Sequence, residues 1–234
     1  MKVVSFQVLG KRVKQEDSYY ISTDQKLFAV CDGVGGSSNG YFASNFITEK
    51  IDEKYNSSAI NSIEEFKSLV VSIINSLYNI IEEEVATTLT LLFIHDETAF
   101  ISYIGDSRVY YISNAKDLWT VTKDHSFVQE LFEAGVLNSE EEMRNHPMRN
   151  RITKAISSKT QLDEIDIEME LVEDLHPKDY FVMASDGVLE NYSNQEIVDL
   201  FTNNYISIEQ ICHEMEVICL TNSHDNSTCI IIEL

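Results

Sequence analysis

Five short acidic motifs scattered along the chain are the residues most able to do chemistry: Glu16-Asp17, Asp32-Gly33, Gly105-Asp106, Asp186-Gly187 and Asp225-Asn226. Three of them close an apolar run that reads as a buried strand. Residues 27–31 lead into Asp32, residues 100–104 into Gly105-Asp106, and residues 180–185 into Asp186. A carboxylate at the mouth of a buried strand is held rigidly, and carboxylates from distant segments can then converge. Hard divalent cations take oxygen ligands of this kind. The pattern suits a metal site assembled by the fold rather than by one contiguous loop. Asp-Gly is also a turn signal, because Asp bonds its own backbone and Gly tolerates positive φ. One such motif alone reads as a turn; the set and its flanks point to a metal.

The elements that must position these residues follow from apolar spacing. Strands are expected at 3–9, 18–22 and 27–31, then a helix at 39–54 and a longer one at 62–84. The longer helix rests on Phe66, Leu69, Val70, Ile73, Ile74, Leu77, Ile80 and Ile81, which keep helical spacing. Closely spaced strands at 88–95, 98–104, 108–113 and 117–121 imply an antiparallel meander. A helix at 126–134 ends at Gly135 as a C-cap, and 138–151 reads as a surface loop or short helix. Strands at 165–171, 179–184 and 228–233 close the chain, with helices at 194–203 and 207–220 between the last two. Strand groups with helices inserted in two places predict an α+β fold of two packed antiparallel sheets with helices outside them. No composition shift, repeat or low-complexity tract marks a boundary, so one domain over 1–234 is expected.

Charge narrows the function classes. With 39 acidic against 17 basic residues the formal net charge is −22. That disfavours nucleic acid, which demands a Lys/Arg surface, and an anionic membrane surface. An anionic substrate would need cations supplied at the site. The N-terminal residues lack a signal-peptide pattern, and no apolar stretch reaches the ~18 residues of a membrane span, so no membrane insertion is expected. Cys31, Cys212, Cys219 and Cys229 form no Cys-x-x-Cys pair, which fits a reduced, cytoplasmic setting. The six His residues lack zinc-site spacing. Gly35-Gly36-Ser37-Ser38 lacks the Gly-Lys-Ser/Thr ending of a phosphate loop and reads as a turn giving way to a helix.

Taken in order with their flanks, the motifs resemble the metal-dependent serine/threonine protein phosphatases, the phosphatase 2C family, in the form of its compact bacterial members. The pieces are Arg12 five residues before Asp17 in the segment 10–19, Asp32-Gly33 in 28–36, Ala86-Thr87-Thr88-Leu89, and Gly105-Asp106 in 104–110. The series continues with Asp124-His125-Ser126, the His146-to-Ala155 stretch, Ala184-Ser185-Asp186-Gly187-Val188 and Asp225-Asn226-Ser227-Thr228. The resemblance is collinear from about residue 5 to 233.

The resemblance implies a four-layer αββα sandwich and hydrolysis of phosphoserine or phosphothreonine on proteins, opposing a serine/threonine kinase. It implies two Mn²⁺ or Mg²⁺ ions, with Asp32 bridging, Asp186 and Asp225 completing one shell, and the Gly33 carbonyl serving the second. Glu16 and Asp17 would hold metal waters, and Asp106 with Asp186 matches positions that take a third ion. Arg12 would grip the substrate phosphate, and the stretch 138–155 matches the family's flap, where His146 is a candidate for substrate handling. Arg108 reads either as a phosphate contact or as the partner of a neighbouring acid. The chain departs from the family in having Gln15 for Asn and Val34 where animal members carry a His after Asp-Gly, so that general-acid role does not transfer. A phosphatase-like phosphoprotein-binding module and a structural Ca²⁺-binding sandwich are the competing expectations. A monomer is expected.

Overall fold

The computed structural model describes residues 1–34, 39–56, 59–163, 167–202 and 206–234. The expected turn at Gly35–Ser38, the start of the strand placed at 165 and the end of the helix placed at 203 lie outside these residues.

The strands are β1 (Lys2–Val8), β2 (Asp17–Ile21), β3 (Leu27–Val34), β4 (Ala86–Thr87), β5 (Leu89–His95), β6 (Thr98–Ile104), β7 (Arg108–Ser113), β8 (Leu118–Val121), β9 (Ile156–Ser157), β10 (Glu168–Val172), β11 (Tyr180–Ala184) and β12 (Ser227–Glu233). The helices are α1 (Gly40–Lys54), α2 (Ile63–Ile74), α3 (Phe127–Glu133), α4 (Glu140–Arg144), α5 (Asp186–Leu189), α6 (Asn194–Thr202) and α7 (Ile208–Asn222). One sheet runs β1-β12-β11-β7-β8; the other runs β10-β6-β5-β3-β4-β9, with β2 paired to β3. The pairings between strands are antiparallel.

Strand side chains alternate between faces, so a strand covered on both sides must be apolar throughout. In β3, Phe28 and Val30 face the other sheet, while Leu27, Ala29 and Cys31 face α1 and α2. In β12, Ile230 and Ile232 enter the same inter-sheet core, while Cys229 and Ile231 meet the second helical layer, with Ile197 and Phe201 of α6 and Met215 of α7. The result is the αββα sandwich.

The main difference from the expected elements is α2. It stops at Ile74 rather than running to residue 84. Asn75 exchanges side-chain hydrogen bonds with the backbone of Leu162 (3.0 and 3.2 Å), and Asn79 takes a left-handed φ of 56° while donating its N–H to the Ser158 carbonyl. Asn competes with helical hydrogen bonding through its own amide and tolerates left-handed backbone. Leu77 still reaches the core, but Ile80 is exposed. The periodicity reported burial without reporting the helix end.

Candidate active site

The site lies at one end of the sandwich, where strands from both sheets finish. Asp32 follows Cys31 in β3 and pairs directly with Asp17 of β2. Directly paired residues project to the same face, so these two carboxylates are neighbours. The Asp32 backbone is pinned from the opposite side. Its N–H donates to Thr88 Oγ1 (2.9 Å), and its carbonyl accepts from Thr88 N (2.8 Å) and Thr87 Oγ1 (2.9 Å). That is the work of the Ala86-Thr87-Thr88-Leu89 segment. Gly33 follows because no side chain fits there: a Cβ would sit 2.5 Å from the Gly40 backbone at the start of α1. The Gly33 N–H donates to the Glu16 carbonyl (3.1 Å), and the Glu16 carboxylate lies beside Gly40.

Asp17 stitches the two sheets together. Its Oδ2 accepts from Ser185 Oγ (2.8 Å) and Thr228 Oγ1 (2.7 Å), both belonging to the other sheet's end. Asp32, paired with Asp17 across the strands, also feels the charge of Asp186. Asp225 receives Arg12 Nη2 on Oδ2 (2.6 Å) and the Asn226 N–H on Oδ1 (2.8 Å). The Asn226 amide holds the loop that bears Arg12: it donates to the carbonyls of Leu9 and Lys14 and accepts from Glu16 N (2.8 Å). Asp106 is buried beyond the Gly105 turn, whose N–H donates to His125 Nδ1 (3.0 Å). Arg108 is engaged with a neighbouring acid: a fork onto Asp124 at 2.7 Å for both bonds, with Nη1 on Asn194 Oδ1.

Five carboxylates thus share a small, mostly desolvated space. Burial, reinforced by repulsion among them, holds Asp32 and Asp186 well above the usual carboxylate range. Burial pushes Asp106 up to about 7, with Asp124 adding to it, and Asp17 up to about 6 against the opposing hydrogen bonds from Thr228 and Ser185. Asp106 Oδ1 and Asp186 Oδ1 are buried without a hydrogen-bond partner. Buried oxygens of this kind need a donor or a cation. Among the described residues, no three of these side chains already close round one point in ligand geometry. Mg²⁺ requires no such cage, since it keeps several waters and is held by one or two carboxylates, and Mn²⁺ accepts the same oxygen donors. The donor set fits ions of that class.

A family model described as Protein phosphatase 2C matches residues 11–216. This chain belongs to the protein phosphatase 2C family. It is a serine/threonine protein phosphatase by that membership. Protein phosphatase PhpP of Streptococcus pneumoniae is 30% identical over 205 residues, covering 83% of this chain and 81% of the relative. The crystal structure of serine/threonine phosphatase Stp1 from Staphylococcus aureus superimposes with a TM-score of 0.85 at 25% identity, covering 100% of this chain and 94% of that one. The catalytic domain of PstP, solved with 2 manganese ions, shares the fold with a TM-score of 0.83 at 22% identity, covering 99% and 97%.

In the phosphatase 2C frame, a cavity of about 460 Å³ opens beside the carboxylates. Asp106 and Asp186 line it, together with Met143, Arg144, Arg149 and Asn150 of the stretch 138–155. His146, the expected candidate for substrate handling, is held within its own turn. Its Nδ1 accepts from the Met148 N–H (3.1 Å) and its ring packs on Phe127, so it shapes the turn while Arg149 and Asn150 line the cavity. Ser185, Thr228 and Thr88 are the site residues that sequence reading missed as such. Each lay inside a quoted motif, but hydroxyls flanking a carboxylate carry no signal until the partner strand is known.

Proposed function

We propose that this phosphatase hydrolyses phosphoserine and phosphothreonine on protein substrates at a site for two Mn²⁺ or Mg²⁺ ions, acting as one catalytic unit over 1–234. The observation that supports it is the convergence of Asp17, Asp32, Asp106, Asp186 and Asp225, with buried unpartnered oxygens on Asp106 and Asp186. Asp32, central among them, would bridge two ions; Asp186 and Asp225 would complete one shell and the Gly33 carbonyl the other. Glu16 and Asp17 would orient bound waters, and Asp106 with Asp186 would take a third ion. When bound, such ions supply Lewis acidity toward phosphoryl oxygens and a water acidified to near neutral pH.

The chain's own residues do the rest. The strand ends hold the carboxylates in fixed relation, so little reorganisation accompanies reaction. Arg12 is half-exposed and paired with Asp225, so its planar guanidinium can also take a phosphate, a match its fork suits. The substrate is a protein phosphorylated by a serine/threonine kinase, and the enzyme works as a cytoplasmic monomer. Among the described residues no helix is long and apolar enough to cross a membrane.

Turnover of p-nitrophenyl phosphate and of a phosphothreonine peptide with Mn²⁺, against Asp32→Asn, tests this. Activity is expected in the native chain and a loss of at least ~100-fold in the variant. Equal rates in the two proteins would overturn the assignment.

A further inference from the structure

The short helix α4 is bound at its last residue to the turn that follows α5, the helix Asp186 begins, and at its first residue to the start of α6. Arg144, its last residue, donates from Nη1 to the carbonyls of Leu189 (2.8 Å) and Tyr192 (2.6 Å), and from Nη2 toward Glu190 (3.4 Å). Glu140, its first residue, accepts from the Asn194 N–H on Oε1 (3.0 Å). Asn194 is in turn held through Oδ1 by Arg108 (2.8 Å) and Tyr110 (2.7 Å). Leu189 ends α5, the single turn that Asp186 begins. The Glu190 carboxylate accepts from the His224 N–H (2.7 Å), beside Asp225.

The carbonyls at the end of a helix have no intrahelical partner. A four-residue helix cannot stabilise itself, since one turn is the costly nucleus of helix formation. The turn carrying Asp186 therefore depends on outside donors, and a guanidinium reaching three carbonyls is the largest single supply. The Asp186 side chain has a buried oxygen with no partner of its own to fix it.

We infer that Arg144 is a positioning residue for Asp186. Through the carbonyls of residues 189, 190 and 192, with Glu140 as the second tie, it fixes the turn that aims the Asp186 carboxylate. Because α4 also walls the cavity above the carboxylates, the same residue links substrate occupancy of that cavity to the geometry of the metal-binding side. The inference rests on the proposed metal role of Asp186. Groups that hold a metal ligand in place typically matter by 10–100-fold in affinity or activity.

The test uses the full chain with Arg144→Ala, Glu140→Ala and, as a control on the same helix, Glu141→Ala, whose exposed side chain makes none of these bonds. Amide hydrogen exchange is followed in peptides spanning 186–194 in metal-free protein, and Mn²⁺ titrations are followed by thermal shift. Arg144→Ala is expected to speed exchange in 186–194 selectively. It should also raise the Mn²⁺ concentration for half-maximal stabilisation about tenfold or more, and lower kcat by more than it raises KM. Glu140→Ala should follow in the same direction with a smaller effect, and Glu141→Ala should match the native chain. Unchanged exchange and an unchanged Mn²⁺ midpoint in Arg144→Ala would overturn the inference, as would equally faster exchange throughout the chain. If Mn²⁺ stabilises none of the proteins, the metal reading fails on its own, and the exchange at 186–194 still decides whether Arg144 holds the turn.

Discussion

At the scale of single residues, the site separates carboxylates by what surrounds them. Asp17 is satisfied by two hydroxyls and joins the sheets, whereas Asp106 and Asp186 each keep a buried oxygen unpartnered. Arg108 illustrates how a cation near a site can be structural. Its fork on Asp124 is largely shielded from water, with side-chain exposures of 14% and 8%. Removing one member of a buried pair strands the other charge. Arg108→Ala should therefore cost about 3–5 kcal/mol in chemical denaturation, and Arg108→Ala with Asp124→Ala should recover part of that loss. An Arg108→Ala protein of native stability would contradict this placement.

At the scale of elements, the site depends on close approaches between backbones. A Cβ at Gly187 would collide with the Asn226 carbonyl and lie 2.7 Å from Ser227 Oγ. This contact keeps α5 against the start of β12, and hence Asp186 against Asp225. Gly187→Ala should force the two apart at a cost of roughly 1–3 kcal/mol, in line with overpacking elsewhere, and should reduce activity more than stability alone accounts for. Thermal melts beside phosphatase assays at saturating Mn²⁺ would show it. Most elements were legible from spacing: β6 and β7 fall on 98–104 and 108–113, as their apolar runs and the short turns between them required. The helix α2 was overextended because apolar periodicity continues past Ile74, while the Asn75 bond to Leu162 that ends the helix joins residues far apart in sequence. The pair β4 and β9 was not legible either, since two-residue strands carry no alternation.

At the scale of the molecule, the cluster makes stability depend on pH and metal together. Unfolded Asp titrates near 3.9, whereas folded Asp17 and Asp106 are raised to about 6 and 7, chiefly by burial. Between these limits the folded metal-free chain binds more protons than the unfolded chain, so its stability falls as pH rises. The penalty is absent below about pH 4 and complete above about pH 7, the range those shifts define. Bound cations favour the ionised carboxylates, so Mn²⁺ should raise the melting temperature more at pH 7.5 than at pH 5. A stabilisation that does not grow with pH would count against a carboxylate-lined metal site. The sequence by itself determined the family, the layered fold and the list of carboxylates, because each motif is local and its order along the chain is preserved. Only the tertiary structure decided which oxygens are satisfied, that Arg12 reaches Asp225, that His146 serves its own turn, and that Arg144 braces the turn following Asp186. Those depend on contacts across up to 213 residues of separation, and a side chain's hydrogen-bond partner is set by packing that no local pattern encodes.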